Sequence, residues 1–249
     1  MSGTWVLTLK NLLLPQFCRL CGARLLTEEN NHFCPTCWEM SPRIERPYCS
    51  VCGKPHPRGV GLMASRIFPC GGCASAREER PFRRVYGAAL YEGAVEEAVK
   101  LFKFHQRRNL ARPLAELMAE AAIREMDREE YEFLVPVPLH AVRERDRGFN
   151  QSRLLAEELV PTFPRAKLAD CLRRVRPTRT QSLINDAKER RRNVRGAFAV
   201  DERGRVRGGA VLVIDDVVTS LGTVSECAKV LRSAGATAVD VLAAALVVE

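Results

Sequence analysis

Val211 to Thr223 reads VLVIDDVVTSLGT, and the change of chemistry inside it decides the fold. Four apolar residues, Val211 to Ile214, run directly into two adjacent carboxylates, Asp215 and Asp216. An unbroken apolar run of this kind fits a parallel strand covered on both faces, so the spacing predicts a strand with the carboxylates at its carboxyl end. Val218, Thr219, Ser220, Leu221, Gly222 and Thr223 then form a hydroxyl- and glycine-bearing turn. After it Val224, Cys227, Ala228 and Leu231 fall at helical spacing, Gly235 supplies a stop, and a second apolar run extends from Ala238 to Val248. Strand, turn, helix and strand, with enough chain for a parallel crossover, make an α/β unit.

Ligands of open parallel sheets bind beyond the carboxyl ends of the strands, where loop and helix N–H groups can surround a phosphate. Two carboxylates beside such a cradle repel a bare anion, so they suit sugar hydroxyls or a divalent cation instead. A phosphorylated sugar satisfies both halves. The plainer alternative is that the pair caps an exposed strand end. The stretch resembles the phosphoribosyl pyrophosphate (PRPP) binding motif of type I phosphoribosyltransferases, a hydrophobic strand followed by DD, two variable residues and TTGxT. It departs where that family has its second threonine and then glycine: here stand Ser220 and Leu221, and the glycine follows one position later as Gly222. Leu221 carries a Cβ, which disfavours the positive φ that glycine takes freely.

A chain of 249 residues with a hydrophobic fraction of 46% is ample for a core. No apolar run reaches the length of a membrane span, and Trp5 to Phe17, WVLTLKNLLLPQF, is broken by Lys10, Asn11 and Pro15. That stretch also lacks a basic n-region and a small-residue cleavage site, so it reads as a short packing helix and the expected location is the cytoplasm.

Eight of the ten cysteines lie in four CxxC pairs: Cys18/Cys21, Cys34/Cys37, Cys49/Cys52 and Cys70/Cys73. Two thiolates per knuckle and two knuckles per ion complete the tetrahedral site that zinc prefers. Gaps of 12 residues between Cys21 and Cys34, and of 17 between Cys52 and Cys70, suit two consecutive zinc ribbons. Disulfides, redox CxxC motifs and an interleaved pairing of first knuckle with third are the alternatives. His32 and His56 read as exposed loop histidines beside complete cysteine sets, and the metal's role as structural. Cys171 and Cys227 read as small core residues.

Ala74 to Arg84, charged and containing Pro81, reads as a linker. It divides an N-terminal helix and double ribbon, residues 1–80, from an α/β domain, residues 81–249, each with its own core. Tyr91 to His105 then places Val95, Val99 and Phe102 at helical spacing. Lys103 within it either approaches a phosphate or belongs to a solvated basic face. Leu114 to Met126 reads as a second helix. Phe133 to Ser152 repeats the strand, loop and helix layout: Pro136 and Pro138 end the strand, and Arg143, Arg145 and Arg147 follow in a basic loop. Leu172 to Phe198 reads as a long basic mobile loop.

From Arg143 to Arg195 there are 15 Lys and Arg against 7 Asp and Glu, a local +8 in a chain whose total is +9. The charge therefore belongs to these two loops. Few aromatics interrupt them, so the stripe suits polyphosphate better than nucleic acid, which stays a live alternative.

The whole chain is similar to the ComF family of phosphoribosyltransferase-like proteins. The resemblance rests on the four CxxC pairs, YEG at Tyr91 to Gly93, LFKF at Leu101 to Phe104, VPVPLH at Val135 to His140 and RERDRGFNQ at Arg143 to Gln151. It continues with RxRPTxxQ at Arg174 to Gln181, RRNVRGAF at Arg191 to Phe198 and IDDVVTS at Ile214 to Ser220. It implies a type I phosphoribosyltransferase-like parallel sheet flanked by helices, with an N-terminal double zinc ribbon. It further implies PRPP as a ligand with Mg2+, transfer of the phosphoribosyl group to an acceptor the motifs do not define, and for some relatives a link to DNA uptake in natural competence. On this reading Asp215 and Asp216 hold the ribose hydroxyls, directly or through Mg2+, and Val218 to Thr223 hold the 5-phosphate. Arg143, Arg145 and Arg147, with Arg174, Arg176 and Gln181, meet the leaving pyrophosphate. The alternative is a non-catalytic accessory factor that binds PRPP or single-stranded DNA, its ribbons docking a helicase or translocation partner.

Overall fold

The computed structural model describes residues 15–25, 32–57, 67–76, 80–178, 187–201 and 206–248. Of the expected N-terminal helix only Pro15 to Phe17 lie among them, and Gln16–Phe17 is a short strand, β1, paired antiparallel with β2, Arg24–Leu25. The ribbon region adds two one-turn helices, α1 (Pro35–Glu39) and α2 (Gly71–Ala74). The α/β part follows as β3 (Val85–Leu90), α3 (Gly93–Phe104), α4 (Ala111–Glu125), β4 (Phe133–Pro136), α5 (Ala141–Arg147) and α6 (Gln151–Leu159). It ends with β5 (Lys167–Leu168), β6 (Leu172–Arg174), α7 (Ala187–Val194), β7 (Phe198–Val200), β8 (Ala210–Val218), α8 (Gly222–Ser233) and β9 (Ala238–Leu246).

Five strands form one parallel sheet in the order β3-β9-β8-β4-β5. The apolar run that opens β8 is central because side chains alternate across a strand and both faces are covered. Leu212 and Ile214 pack with Val95, Phe102, Leu114 and Leu155 of α3, α4 and α6. Val211 and Val213 pack on the other face with Val224, Cys227, Ala228 and Leu231 of α8. The helix read after the turn thus buries the four positions its spacing picked out.

Two expectations change. The basic segment after Pro138 is not a loop but the seven-residue helix α5. His140 caps its start by accepting from the Val142 N–H, and Gly148, at φ 78°, ends it in the left-handed region that a residue with a Cβ seldom adopts. The long basic loop is also partly ordered. Its ends, β6 and β7, pair antiparallel and α7 lies between them, while residues 179–186 fall outside the described residues.

Among the described residues the ribbons share the core of the sheet, contrary to the expectation of a core of their own. Cys18, Leu25 and Phe33 join the core under α3 and α4, and Ile44 and Tyr48 join the core on the α8 face. The second ribbon presses so closely on β3 that a Cβ on Gly53 would lie 2.4 Å from the Val85 carbonyl oxygen. The backbone between the ribbons also covers the β3 edge, with Ile44 N–H donating to Ala88 O at 3.1 Å and Leu90 N–H to Pro42 O at 2.8 Å. Tyr48 Oη donates to Glu125 Oε2 of α4 at 2.7 Å, and Arg46 Nε joins the same oxygen at 2.9 Å. Where the linker enters the sheet, Asp240 is buried on β9 and accepts from Tyr131 Oη at 2.8 Å, Arg84 N–H at 3.0 Å and the Arg83 guanidinium.

The cysteines fall into two sets, Cys18, Cys21, Cys34 and Cys37, and Cys49, Cys52, Cys70 and Cys73, each with its sulfurs within 4.8 Å of one another. The pairing is consecutive, not interleaved. Cys21 Sγ and Cys34 Sγ lie 3.7 Å apart, and Cys52 Sγ and Cys70 Sγ 3.8 Å. Those are the edges of a tetrahedron with zinc–sulfur bonds of about 2.3 Å, ~3.8 Å long. A disulfide would need about 2.05 Å. Backbone N–H groups of Val51, Cys52 and Cys70 point at Cys49 Sγ, as support of a thiolate requires. Both sets fit two structural zinc ions. The histidines are not exposed, however: His32 is buried, and His56 stacks on Phe68 with Nε2 3.0 Å from its carbonyl oxygen.

Elemental analysis of the reduced protein should return close to two zinc ions per chain. Cys49→Ser should lower that to one and depress the thermal midpoint of the whole chain; an unchanged midpoint would show that the second ribbon and the sheet fold apart. Asp240→Ala, which orphans the Tyr131 hydroxyl and the Arg84 N–H, should cost about 3 kcal/mol in urea unfolding, at about 1–3 kcal/mol for each buried unsatisfied group. Tyr131→Phe should cost less, because the Arg83 pair survives it.

Candidate functional site

The carboxylates of β8 are not at its last residues: the strand continues through Val217 to Val218, whose carbonyl accepts from Val247 N–H at 3.0 Å. Asp216 is buried, and Lys103 Nζ, from the last turn of α3, meets its Oδ1 at 2.8 Å. Asp215 Oδ1 accepts from Ser152 Oγ of α6 at 3.2 Å and from Asp216 N–H at 2.9 Å. Burial pushes the Asp215 carboxyl up to about 7; the adjacent Asp216 charge adds to the push, and Lys103 opposes it. A plain strand-end cap would be solvated, whereas here Asp216 is buried and Asp215 half-buried.

Three arginines stand in the same cleft, Arg147 near Asp216, Arg174 near Asp215, and Arg143 near both arginines. On α5 the spacing of four places Arg143 and Arg147 on one face and turns Arg145 away, exposed. Arg147 Nη1 donates to Gln151 Oε1 at 2.6 Å, and its guanidinium lies over the Phe104 ring at 5.7 Å. Arg143 Nη2 donates to Thr178 O at 3.1 Å, and Arg174, stacked over Phe198, reaches the Thr178 hydroxyl. Burial, then the Arg143 charge, holds the Arg147 guanidinium below its ordinary range, with Asp216 opposing. Arg174 is lowered in the same way by burial and then Arg143, with Asp215 among the opposing charges. Arg176 does not join them; its Nη2 is spent on the carbonyls of Asn193 and Arg195. Gln181 lies outside the described residues.

The turn leading to α8 needs no unusual backbone. Leu221, the residue that departs from the motif, sits at φ −72°, so its Cβ meets no strain, and its side chain packs against the core on the α8 face. It occupies the N-cap position, where no side chain caps the helix. The first amides of a helix have no partner within it, so the turn from Thr219 to Thr223 presents the positive end of α8 beside the carboxylates. Two buried donors, Gln151 Nε2 and Arg174 Nε, have no acceptor among the described residues.

Lys103 was legible only as one of two alternatives, although it lies four residues after the buried Val99 and therefore on the inward side of α3. Ser152 and Gln151 were missed as site residues. Their signal was Asn150, whose side chain accepts from Arg153 N–H and so starts α6 with its first residues turned to the cleft.

Residues 9–74 match the double zinc ribbon domain family. The chain is similar to the DNA utilization protein YhgH of Salmonella typhimurium, 32% identical over 233 residues that cover 92% of this chain and 96% of the relative. It is also similar to Competence protein F of Haemophilus influenzae, 30% identical over 200 residues covering 78% and 82%. Among solved structures, one described as the allosteric regulatory enzyme of purine biosynthesis is similar at TM-score 0.40 and 19% identity, covering 59% of this chain and 30% of that one. With the first relative matched along nearly its whole length, and with two four-cysteine clusters ahead of a parallel sheet, the chain belongs to the ComF family of phosphoribosyltransferase-like proteins.

Proposed function

We propose that the cleft at the end of β8 binds PRPP with Mg2+ and transfers its phosphoribosyl group to a nucleophile with release of pyrophosphate, in the service of DNA use or uptake, as the names of the relatives suggest. The observation that carries this reading is the mixed charge of the cleft: a buried Asp216 paired with Lys103 and a half-buried Asp215, beside arginines that repel one another. A simple anion would meet the carboxylates, and a simple sugar would leave the repulsion among the arginines unrelieved. A sugar with a phosphate at one end and a pyrophosphate at the other addresses both.

In the reaction the nucleophile bonds to ribose C1 as the C1–oxygen bond breaks, and the electron pair leaves with pyrophosphate. Asp215 and Asp216 would hold the ribose hydroxyls and oppose the positive charge that grows on the ring. The first amides of α8, with Thr219 and Thr223, would hold the 5-phosphate. Arg143, Arg147 and Arg174 would neutralise the leaving group, and the buried Arg174 Nε would gain an acceptor. Mg2+, when bound, would supply further positive charge to the pyrophosphate oxygens. A titration of the unaltered protein with PRPP and Mg2+, followed by a pyrophosphate-release assay with candidate acceptors, tests the proposal. Salt-sensitive binding of single-stranded DNA that ignores PRPP would favour the accessory-factor reading instead.

Arg147→Ala should weaken PRPP by about tenfold or more, the scale of one charge-assisted hydrogen bond, yet leave ribose 5-phosphate nearly unchanged, because that ligand lacks pyrophosphate. Equal losses for the two ligands would assign Arg147 to the architecture of the α5 to α6 corner. Asp215 yields a pH prediction. Its folded pKa is raised, so the folded state favours the protonated form and stability from this group falls as pH rises from the ordinary carboxylate range through about 7. Asp215→Asn should therefore melt increasingly above the unaltered protein between pH 5 and pH 8. Its loss of Mg2+-dependent PRPP binding should be greatest at the alkaline end.

A further inference from the structure

Asp216 must be open to take a ribose hydroxyl or a cation, yet its Oδ1 is held at 2.8 Å by Lys103 Nζ. Neither partner is in open water: the Asp216 side chain is 8% exposed and that of Lys103 is 22% exposed. An ammonium in such a place cannot give up its carboxylate for nothing, since separating the pair strands a charge in a desolvated setting. It needs another anion within reach of its stem. Lysine suits an exchange of this kind, being a point charge with three donors on a flexible four-carbon chain. Lys103 stands in the last turn of α3, directly followed by Phe104, the ring over which the Arg147 guanidinium lies. The carboxylate and the cation cluster are therefore both close to it.

Resting on the reading of the cleft as a PRPP site, we infer that Lys103 is a displaceable counter-ion, which pairs with Asp216 and moves to the pyrophosphate when PRPP binds. The exchange makes Lys103 a specificity residue. A ligand that brings ribose hydroxyls and a pyrophosphate breaks the pair and replaces it. Ribose 5-phosphate brings the hydroxyls and a 5-phosphate taken by the α8 terminus, so it must break the pair with no pyrophosphate offered to the ammonium. Departure of pyrophosphate returns Lys103 to Asp216, which helps to expel the ribose product from the acid pair. Arg147 has no such exchange to make, since its bond is to the neutral Gln151.

The experiment compares PRPP and ribose 5-phosphate, each with Mg2+, on the unaltered protein and on Lys103→Met, which keeps the stem and removes the charge. PRPP affinity should fall by about tenfold, and ribose 5-phosphate affinity should rise by about threefold as Asp216 opens. The opposite signs are the signature, because Arg147→Ala weakens one ligand and spares the other. Lys103→Arg, which retains the charge, should recover most of the preference for PRPP. Lys103→Gln can still donate a hydrogen bond to Asp216, serves if the methionine variant does not fold, and should show the same opposite changes. A parallel loss of both ligands in a folded variant would make the lysine a fixed neutraliser of Asp216 and overturn the exchange alone. Failure of the unaltered protein to bind PRPP would overturn the exchange and the reading of the cleft together.

Discussion

Two adjacent carboxylates near the end of one strand, Asp216 buried and Asp215 half-buried, form the constraint on which the rest of the site depends. Neither can be ionised there without an answering charge, and both together repel. The answer comes from elements far apart in sequence: Lys103 from α3, Arg147 from α5, Ser152 from α6 and Arg174 from β6. Of those elements α3 and α6 pack directly on the sheet, while α5 follows β4 and β6 is held by its own pairing with β7. The core under α3, α4 and α6 and the core under α8 grip opposite faces of β8, so its carboxyl end is fixed from both sides. Precision at the acid pair is therefore a property of the parallel sheet before it is a property of any loop.

The ribbons belong to this architecture as a clamp on one edge. A small cysteine-bound unit has too little apolar surface to hold itself together, and here it lends Ile44 and Tyr48 to the core of the sheet while metal fixes its knuckles. Backbone from Pro42 to Ile44 covers β3, which would otherwise present an open edge. Asp240, with Tyr131 and Arg83, pins the point where the linker turns into the sheet. Charge at a linker is usually solvent decoration; at Arg83 it is a fastening.

What could be read from sequence follows from how many residues carry each signal. α8 and β9 were legible because their apolar patterns run over nine to twelve residues, β8 from the four apolar residues Val211 to Ile214 although it extends to Val218, and the knuckles because a CxxC pair is a local geometric requirement. α5 was not legible as a helix. Its seven residues include only Ala141 and Val142 as apolar members, and no buried residue, so its existence rests on the cap at His140 and the stop at Gly148. β6 and β7, at three residues each, are set by their pairing with one another and lie too far apart in sequence for a hairpin signal. Leu221 was misleading in the other direction. The motif suggested a loop that needs glycine there, whereas the chain enters α8 directly and the residue takes an ordinary helical φ.

The shift of glycine by one position bears on how the phosphate cradle could be built. With Leu221 as N-cap, Gly222 becomes the first residue of α8 and is buried, so at that position no side chain stands between the helix terminus and whatever approaches it. Leu221 meanwhile turns its own side chain into the core on the α8 face and holds the start of the helix against the sheet. The helix terminus fixed in this way is one positive region beside the carboxylates, and the mutually repelling arginines of α5 and β6 are another. A ligand with a single phosphate can answer only one of them. A sugar phosphorylated at both ends, the ligand proposed for this cleft, would answer both and set its hydroxyls at the acid pair.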